Sequence, residues 1–328
     1  MFLAGNKDMV QVKAIFKGWA LLWSILTGMV VYLLFSKVPL LEPAGTLAGP
    51  FMQSLMPYCL FGILYVTFCK IEIKEVRPHT WHFILQGIRT LMAGLLVLWL
   101  VHITEPSEHL IVEGVFICVI CPTAAAAAVI SEKLGGSIAS LTVYTIIANF
   151  VTSIIIPLFF PMVEPSAQVP FLTMSMLILR RVLTVLVLPL LLAFATRRWW
   201  PALAGRIKGC SNLGFYLWCF NLSIVSGVTL RNILCSTVHG GVMAAMLLLP
   251  LPVCLLQFAI GKAVGRHFGE SITAGQALGQ KNTVVGIWLT ITFLNPLAAI
   301  APGGYLVWQN IINAVQIWYK EKYGYLKW

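Results

Sequence analysis

The chain has 328 residues, of which 59% are hydrophobic and only 10% charged, with a formal net charge of +11. That balance lies far outside the range of soluble domains, so a polytopic membrane protein is expected. The single aspartate, Asp8, excludes any mechanism that needs two. The basic residues fall in connecting loops, where they set topology, so the positive charge makes no case for nucleic acid as a partner.

Apolar segments of spanning length fall at about 18–36, 49–69, 81–102, 109–131, 136–160, 171–196, 212–230, 239–261, 269–293 and 296–318. They predict ten transmembrane helices. The first is long enough to span and has no small-residue cleavage site after it, so it is expected to be retained. The third carries Gln86 and, one turn on, Arg89 near its middle. Arginine stays charged and binds carboxylates bidentately, so Arg89 is a candidate substrate contact if it faces the centre; the other reading is pairing with a helix-end carbonyl or a structural acid. The fourth holds Glu113, read as a gate residue near the outer mouth or a partner for Arg180 or Arg181. It then runs through Cys121-Pro122-Thr123 into Ala124 to Ala128. Pro122 lacks an N–H and obstructs the preceding turn, so it breaks this helix. Asn149 in the fifth segment and Asn310 in the tenth are expected to hydrogen-bond between helices. Trp199, Trp200, Trp318 and Trp328 near the segment ends read as interface anchors.

The ninth segment contains Gly275-Gln276-Ala277-Leu278-Gly279-Gln280-Lys281-Asn282-Thr283. A lysine at membrane depth is expensive and usually marks a substrate or ion pathway. About ten residues lie on either side of it, too far for its stem to reach an interface. The glycines and amides beside it predict a second broken helix.

With a cytoplasmic N-terminus, the inside segments hold Lys7, Lys13, Lys17, Lys70, Lys74, Arg77, Lys133, Arg197, Arg198, Arg206, Lys208, Lys262, Arg266, Lys320, Lys322 and Lys327. The outside loops hold only Lys37 and Arg231, and Arg89, Arg180, Arg181 and Lys281 fall within helices. This asymmetry predicts both termini in the cytoplasm, and an inner (plasma) membrane location is expected. The connection from Pro161 to Pro170 divides the ten helices into two sets of five, 1–160 and 161–328. An odd number of spans in each half makes the halves inverted repeats. The fourth helix of each half is the interrupted one, which is the sequence pointer to a midplane site.

The run from Cys121 to Gly136, the ninth segment, Asn295-Pro296-Leu297-Ala298-Ala299-Ile300-Ala301-Pro302-Gly303 and Val307-Trp308-Gln309-Asn310 resemble the bile acid:sodium symporter family. The resemblance implies ten helices in two inverted repeats, with helices 4 and 9 unwound and crossing. It implies a panel domain (helices 1, 2, 6 and 7), a core domain (helices 3–5 and 8–10), and transport of an organic anion, usually driven by sodium. This chain departs from that pattern. Where sodium-coupled members place a Ser-Asn pair stand Ala127 and Ala128; where they place Glu and Gln in helix 9 stand Ala277 and Lys281, with Asn282 kept. Their helix-5 serine is Leu141, while Thr145 and Gln86 are kept. Alanines supply no oxygen to a hard cation. Lys281 is therefore expected to stand in for sodium, holding the unwound helix-9 carbonyls through its three donors. Thr123, Gln280, Asn282 and Thr283 would orient the substrate, and H⁺ is a second possible coupling ion.

Two other readings stay open. One is a rebuilt sodium site using Gln86, Thr145, Asn282 and carbonyls; the other is a non-transporting ligand sensor. The six histidines lie at or near helix ends and no Ser–His pair is readable at depth, so enzyme activity and cofactors are not expected. The eight cysteines show neither metal spacing nor a disulfide framework.

Overall fold

The computed structural model describes residues 20–70, 77–124, 126–164, 170–210, 213–236 and 238–326. Asp8, Lys7, Lys13, Lys17, Lys74, Ala125, Lys327 and Trp328 lie outside them. The described residues form helices and no named strand. They are α1 (Ala20–Lys37), α2 (Glu42–Lys70), α3 (Thr80–Leu100), α4 (Pro106–Ile120), α5 (Ala127–Leu134), α6 (Ile138–Val163) and α7 (Phe171–Trp199). There follow α8 (Pro201–Gly209), α9 (Leu213–Leu234), α10 (Gly240–Arg266), α11 (Ser271–Gly279), α12 (Thr283–Phe293) and α13 (Ile300–Tyr323).

Six of these helices are long and apolar enough to cross a bilayer, namely α2, α3, α6, α7, α10 and the part of α9 from Tyr216. Their outward faces carry Phe83, Leu91, Phe150, Leu158, Leu191 and Leu255, all exposed. Water would penalise that surface and lipid would not, which is the arrangement of a polytopic membrane protein. Two elements have no forerunner in the sequence pattern: the short helix α8 in a connection, and a π-helical turn over Leu183–Val187 inside α7. The fourth and ninth apolar segments are each divided in two, into α4 with α5 and α11 with α12.

Two sets of helices pack together, and a close contact between α6 and α7 joins them. In the first, α9 lies along α1 and α2, and α2 packs on α7. Ser223 Oγ donates to Ser24 O at 2.8 Å, and Tyr65 pairs with Thr196 at 2.8 Å. In the second, α10 lies along α11, α3 packs on α4 and α6, and α13 packs on α4 and α10. Connections predicted to share a side of the membrane meet in space. Asn295 N donates to Glu113 Oε1 at 2.9 Å and Asn232 Nδ2 to Pro296 O at 3.1 Å. At the other end Ser137 N donates to Thr273 Oγ1 at 2.9 Å. There α5 ends on Gly135, whose φ of 88° suits glycine, with Gly136 N closing back on Ser131 O at 2.7 Å. This is a helix-ending motif that satisfies the last carbonyls.

The α10–α11 contact depends on a missing side chain. A Cβ at Gly261 would meet the backbone of Ala274 and Gly275, which cannot swing aside. Gly261→Ala is expected to lower stability by about 1–3 kcal/mol through overpacking. Gly205→Ala in α8, with open space around it, is expected to be neutral or slightly stabilising. Thermal unfolding of the two variants in detergent checks the contrast.

Candidate functional site

The site is built from what two broken helices do with their backbone. Pro122 has no N–H, so Cys118 O loses its helical donor. Gln257 Nε2 takes that carbonyl at 3.3 Å. Thr123 turns extended, which frees Val119 O; the Lys281 ammonium donates to it at 3.1 Å. Cys121 O receives Arg89 Nη1 at 3.3 Å. The carbonyl end of a helix carries partial negative charge, so a lysine and an arginine are suited to cap it.

The second break has no proline and is defined by exchanged partners. Lys281 N leaves the Ala277 carbonyl and donates to Gln309 Oε1 at 2.8 Å. Ala277 O takes the Thr123 hydroxyl instead, at 2.6 Å. Gly279 O receives the Tyr305 hydroxyl at 2.7 Å, and Gln309 Nε2 donates back to Lys281 O at 3.2 Å. The two extended stretches pair antiparallel at Thr123 and Lys281. Asn282 N donates to Pro122 O at 2.8 Å and Ala124 N to Gln280 O at 3.1 Å. Each buried carbonyl named here has a partner, as a dry interior demands. Asn282 then starts α12, its Oδ1 accepting from Val285 N at 3.3 Å.

The sequence-predicted residues fall into three groups. Pro122, Thr123, Gln280, Lys281, Asn282 and Thr283 gather at the crossing, and all but Asn282 are buried. Lys281 does not hold helix-9 carbonyls as expected. Its ammonium reaches across to Val119 of α4, because that carbonyl is the one Thr123 abandons. Arg89, 1% exposed, is not presented to a carboxylate. Its Nη2 donates to Ala148 O at 3.1 Å and to Thr152 Oγ1 at 2.5 Å, so it braces α6 against the break.

The positions where the resemblance places lost sodium ligands form the third group. Ala127, Ala277 and Leu141 sit in one apolar cluster with Trp81, Leu85, Tyr144, Ala148, Ala274 and Leu278, and Ala128 packs against it. Thr145 Oγ1 donates to its own helix at Leu141 O, 2.9 Å, and Gln86 Nε2 donates to Thr90 at 3.3 Å. Gln86 Oε1 makes no hydrogen bond among the described residues.

Other expectations are corrected. Glu113 accepts from Asn295 N and lies 3.7 Å from His109 Nδ1, rather than pairing with Arg180 or Arg181, both of which are exposed. Asn310 bonds within its own helix, to Leu306 O at 2.7 Å, and buried Asn149 has no partner for either side-chain atom among the described residues. A buried Ser–His pair also exists: His82 Nε2 lies 3.1 Å from Ser140 Oγ. His79 N donates to His82 Nδ1 at 3.0 Å, which leaves the ring proton on Nε2 of a neutral imidazole. His82 then donates to Ser140 and cannot take its proton.

Sequence reasoning missed Gln309, Tyr305 and Gln257, which together hold both breaks. Gln309 stands in the Val307 to Asn310 run of the resemblance, but for the other two the only signal was an uncharged polar group in an apolar segment. Neither Lys281 nor Arg89 forms a salt bridge among the described residues, so two buried basic side chains flank the crossing without an acidic partner there. A cavity of about 590 Å³ opens elsewhere, at the ends of α5, α10 and α11, lined by Lys262, Arg266, Ser137 and Thr273. No protein-family model matches the chain, and no curated protein matches it.

Proposed function

We propose that the chain is a secondary transporter that moves an organic anion across the inner (plasma) membrane by alternating access, without sodium, because Lys281 supplies the charge that an ion would supply. One observation carries this reading: Lys281 and Arg89 are buried against the paired helix breaks with no acidic partner among the described residues. An uncompensated buried cation is costly, and it favours an anionic ligand that arrives from outside the protein. Interrupted helices meeting at a charge are how transporters build such sites.

The ten-helix reading follows from the same frame. α4 with α5 forms one span and α11 with α12 another, each two short helices around a crossing. α1 and α13 complete the count. The group α1, α2, α7 and α9 corresponds to the panel that the resemblance implies, and the rest to the core. The asymmetric loop charges favour both termini in the cytoplasm. The apolar side chains at Ala127, Leu141 and Ala277 favour a sodium-independent cycle over a rebuilt sodium site, since those three positions offer a hard cation no side-chain oxygen.

The test works whatever the substrate is. Thermal unfolding of the purified chain is followed in NaCl, KCl and choline chloride at matched ionic strength, then with a panel of organic carboxylates. A ligand that binds only the folded state raises its stability as RT ln(1 + [L]/Kd). No sodium-specific shift is expected, and at least one carboxylate is expected to raise the midpoint. A sodium-specific rise would overturn the tethered-cation reading. A panel that leaves the midpoint unmoved would count against an anion substrate.

A further inference from the structure

At the opposite end of α4 from the crossing, three side chains from two separate helices converge. His109 and Glu113 are one turn apart on α4 and so share a face. Glu164 caps the C-terminus of α6. One donor atom from each lies within 4.8 Å of the others. Glu113 is fully buried. Its Oε1 is fixed by Asn295 N at 2.9 Å, so the carboxylate cannot turn to suit itself. Its Oε2 points toward His109 Nδ1 at 3.7 Å and has no hydrogen-bond partner among the described residues.

A local His–Glu ion pair accounts for this poorly. At 3.7 Å the two atoms are beyond hydrogen-bonding range. A buried carboxylate oxygen left without a donor is expensive. The second carboxylate, Glu164, adds like charge to the same spot. A cation between them removes all three objections. Metal bonds of about 2.0–2.2 Å place tetrahedral donor atoms about 3.4 Å apart, close to the 3.7 Å between His109 Nδ1 and Glu113 Oε2.

We propose that His109, Glu113 and Glu164 form a binding site for one divalent first-row transition-metal ion, of which Zn²⁺ is the probe. One imidazole nitrogen with two carboxylate oxygens suits this class; Mg²⁺ and Ca²⁺ prefer oxygen alone. The His109 side chain is 23% exposed, so an ion can enter from the aqueous rim, and water would complete the coordination. The backbone of Asn295 plays the supporting part, orienting a ligand through a hydrogen bond to its other oxygen. A bound ion would tie α4 to the end of α6 and, through Glu113, to the turn that follows α12. The site would thus clamp the outer ends of both interrupted spans. It does not depend on the transport reading.

The test uses the full chain in detergent, stripped with chelator and alkylated to block the exposed Cys210 and Cys235. Thermal unfolding is followed against ZnCl2, with MgCl2 as the hard-cation control, in wild type, His109→Ala and Glu164→Gln. A saturable rise of several degrees with ZnCl2 is expected, with little response to MgCl2. Each substitution should weaken the apparent affinity tenfold or more. Absence of a ZnCl2 response in wild type would overturn the site, as would a response unchanged in both variants. Isothermal titration of wild type alone keeps the proposal testable if a variant fails to fold: about one Zn²⁺ per chain supports it, and none overturns it.

Discussion

Lys281→Met is expected to fold with an unfolding midpoint close to that of wild type while losing about 10–100-fold in anion uptake by reconstituted liposomes, the loss of one charge-assisted contact of about 1.5–3 kcal/mol. The stability side follows from opposing magnitudes. Removing the ammonium forfeits a charged hydrogen bond to Val119 O, about 1.5–3 kcal/mol, and leaves that carbonyl without its donor, about 1–3 kcal/mol more. Against this, a cation buried to 1% exposure no longer has to be held out of water, a relief of several kcal/mol. The two sides nearly cancel, and methionine fills the space of the lysine stem. A costly charge whose removal costs the fold little is kept for function. Lys281→Gln separates charge from capping, since its amide offers Val119 O a donor without a charge. It too is expected to lose uptake. Full uptake by Lys281→Gln would show that capping, not charge, is what the site needs.

The break at Pro122 is legible because a missing N–H is written in the sequence, and Lys281 is legible as a charge inside an apolar run. Their partners are not. Helical periodicity places Arg89 on a face, but nothing in the sequence says that the carbonyl waiting there is Cys121 O rather than a substrate carboxylate. The same holds for Lys281, whose acceptor becomes available only because Thr123, on a different span, turns extended. Gln309 shows the limit most clearly. Its amide replaces a strand partner for Lys281, bonding both N–H and C=O, yet in sequence it is one polar residue in α13. Glu113 escapes correct pairing for a related reason. Its depth in the segment is readable, but its partner, the Asn295 N–H, is a backbone group that residue types cannot reveal. Ala127, Leu141 and Ala277, the positions read as vacated sodium ligands, stand on α5, α6 and α11 and fall in one cluster, a meeting that helical periodicity alone does not give.

Arg89→Met is expected to behave in the opposite way to Lys281→Met: a loss of stability of about 2–4 kcal/mol, seen as a clearly lower unfolding midpoint and reduced yield of folded protein. Both residues are buried cations at the same helix break, so charge alone does not separate them. What separates them is the number of anchors. The guanidinium donates to Cys121 O, Ala148 O and Thr152 Oγ1, binding the loosened end of α4 to the middle of α6. Its planar fork makes these bonds with little further ordering, and it is more weakly hydrated than an ammonium, so less desolvation is recovered when it goes. Arg89→Lys is not expected to restore the midpoint, since a compact ammonium cannot replace a flat fork that reaches α4 and α6 together. If Arg89→Met instead kept the wild-type midpoint and lost uptake, the bracing role would be wrong and the guanidinium would belong to the anion site beside Lys281.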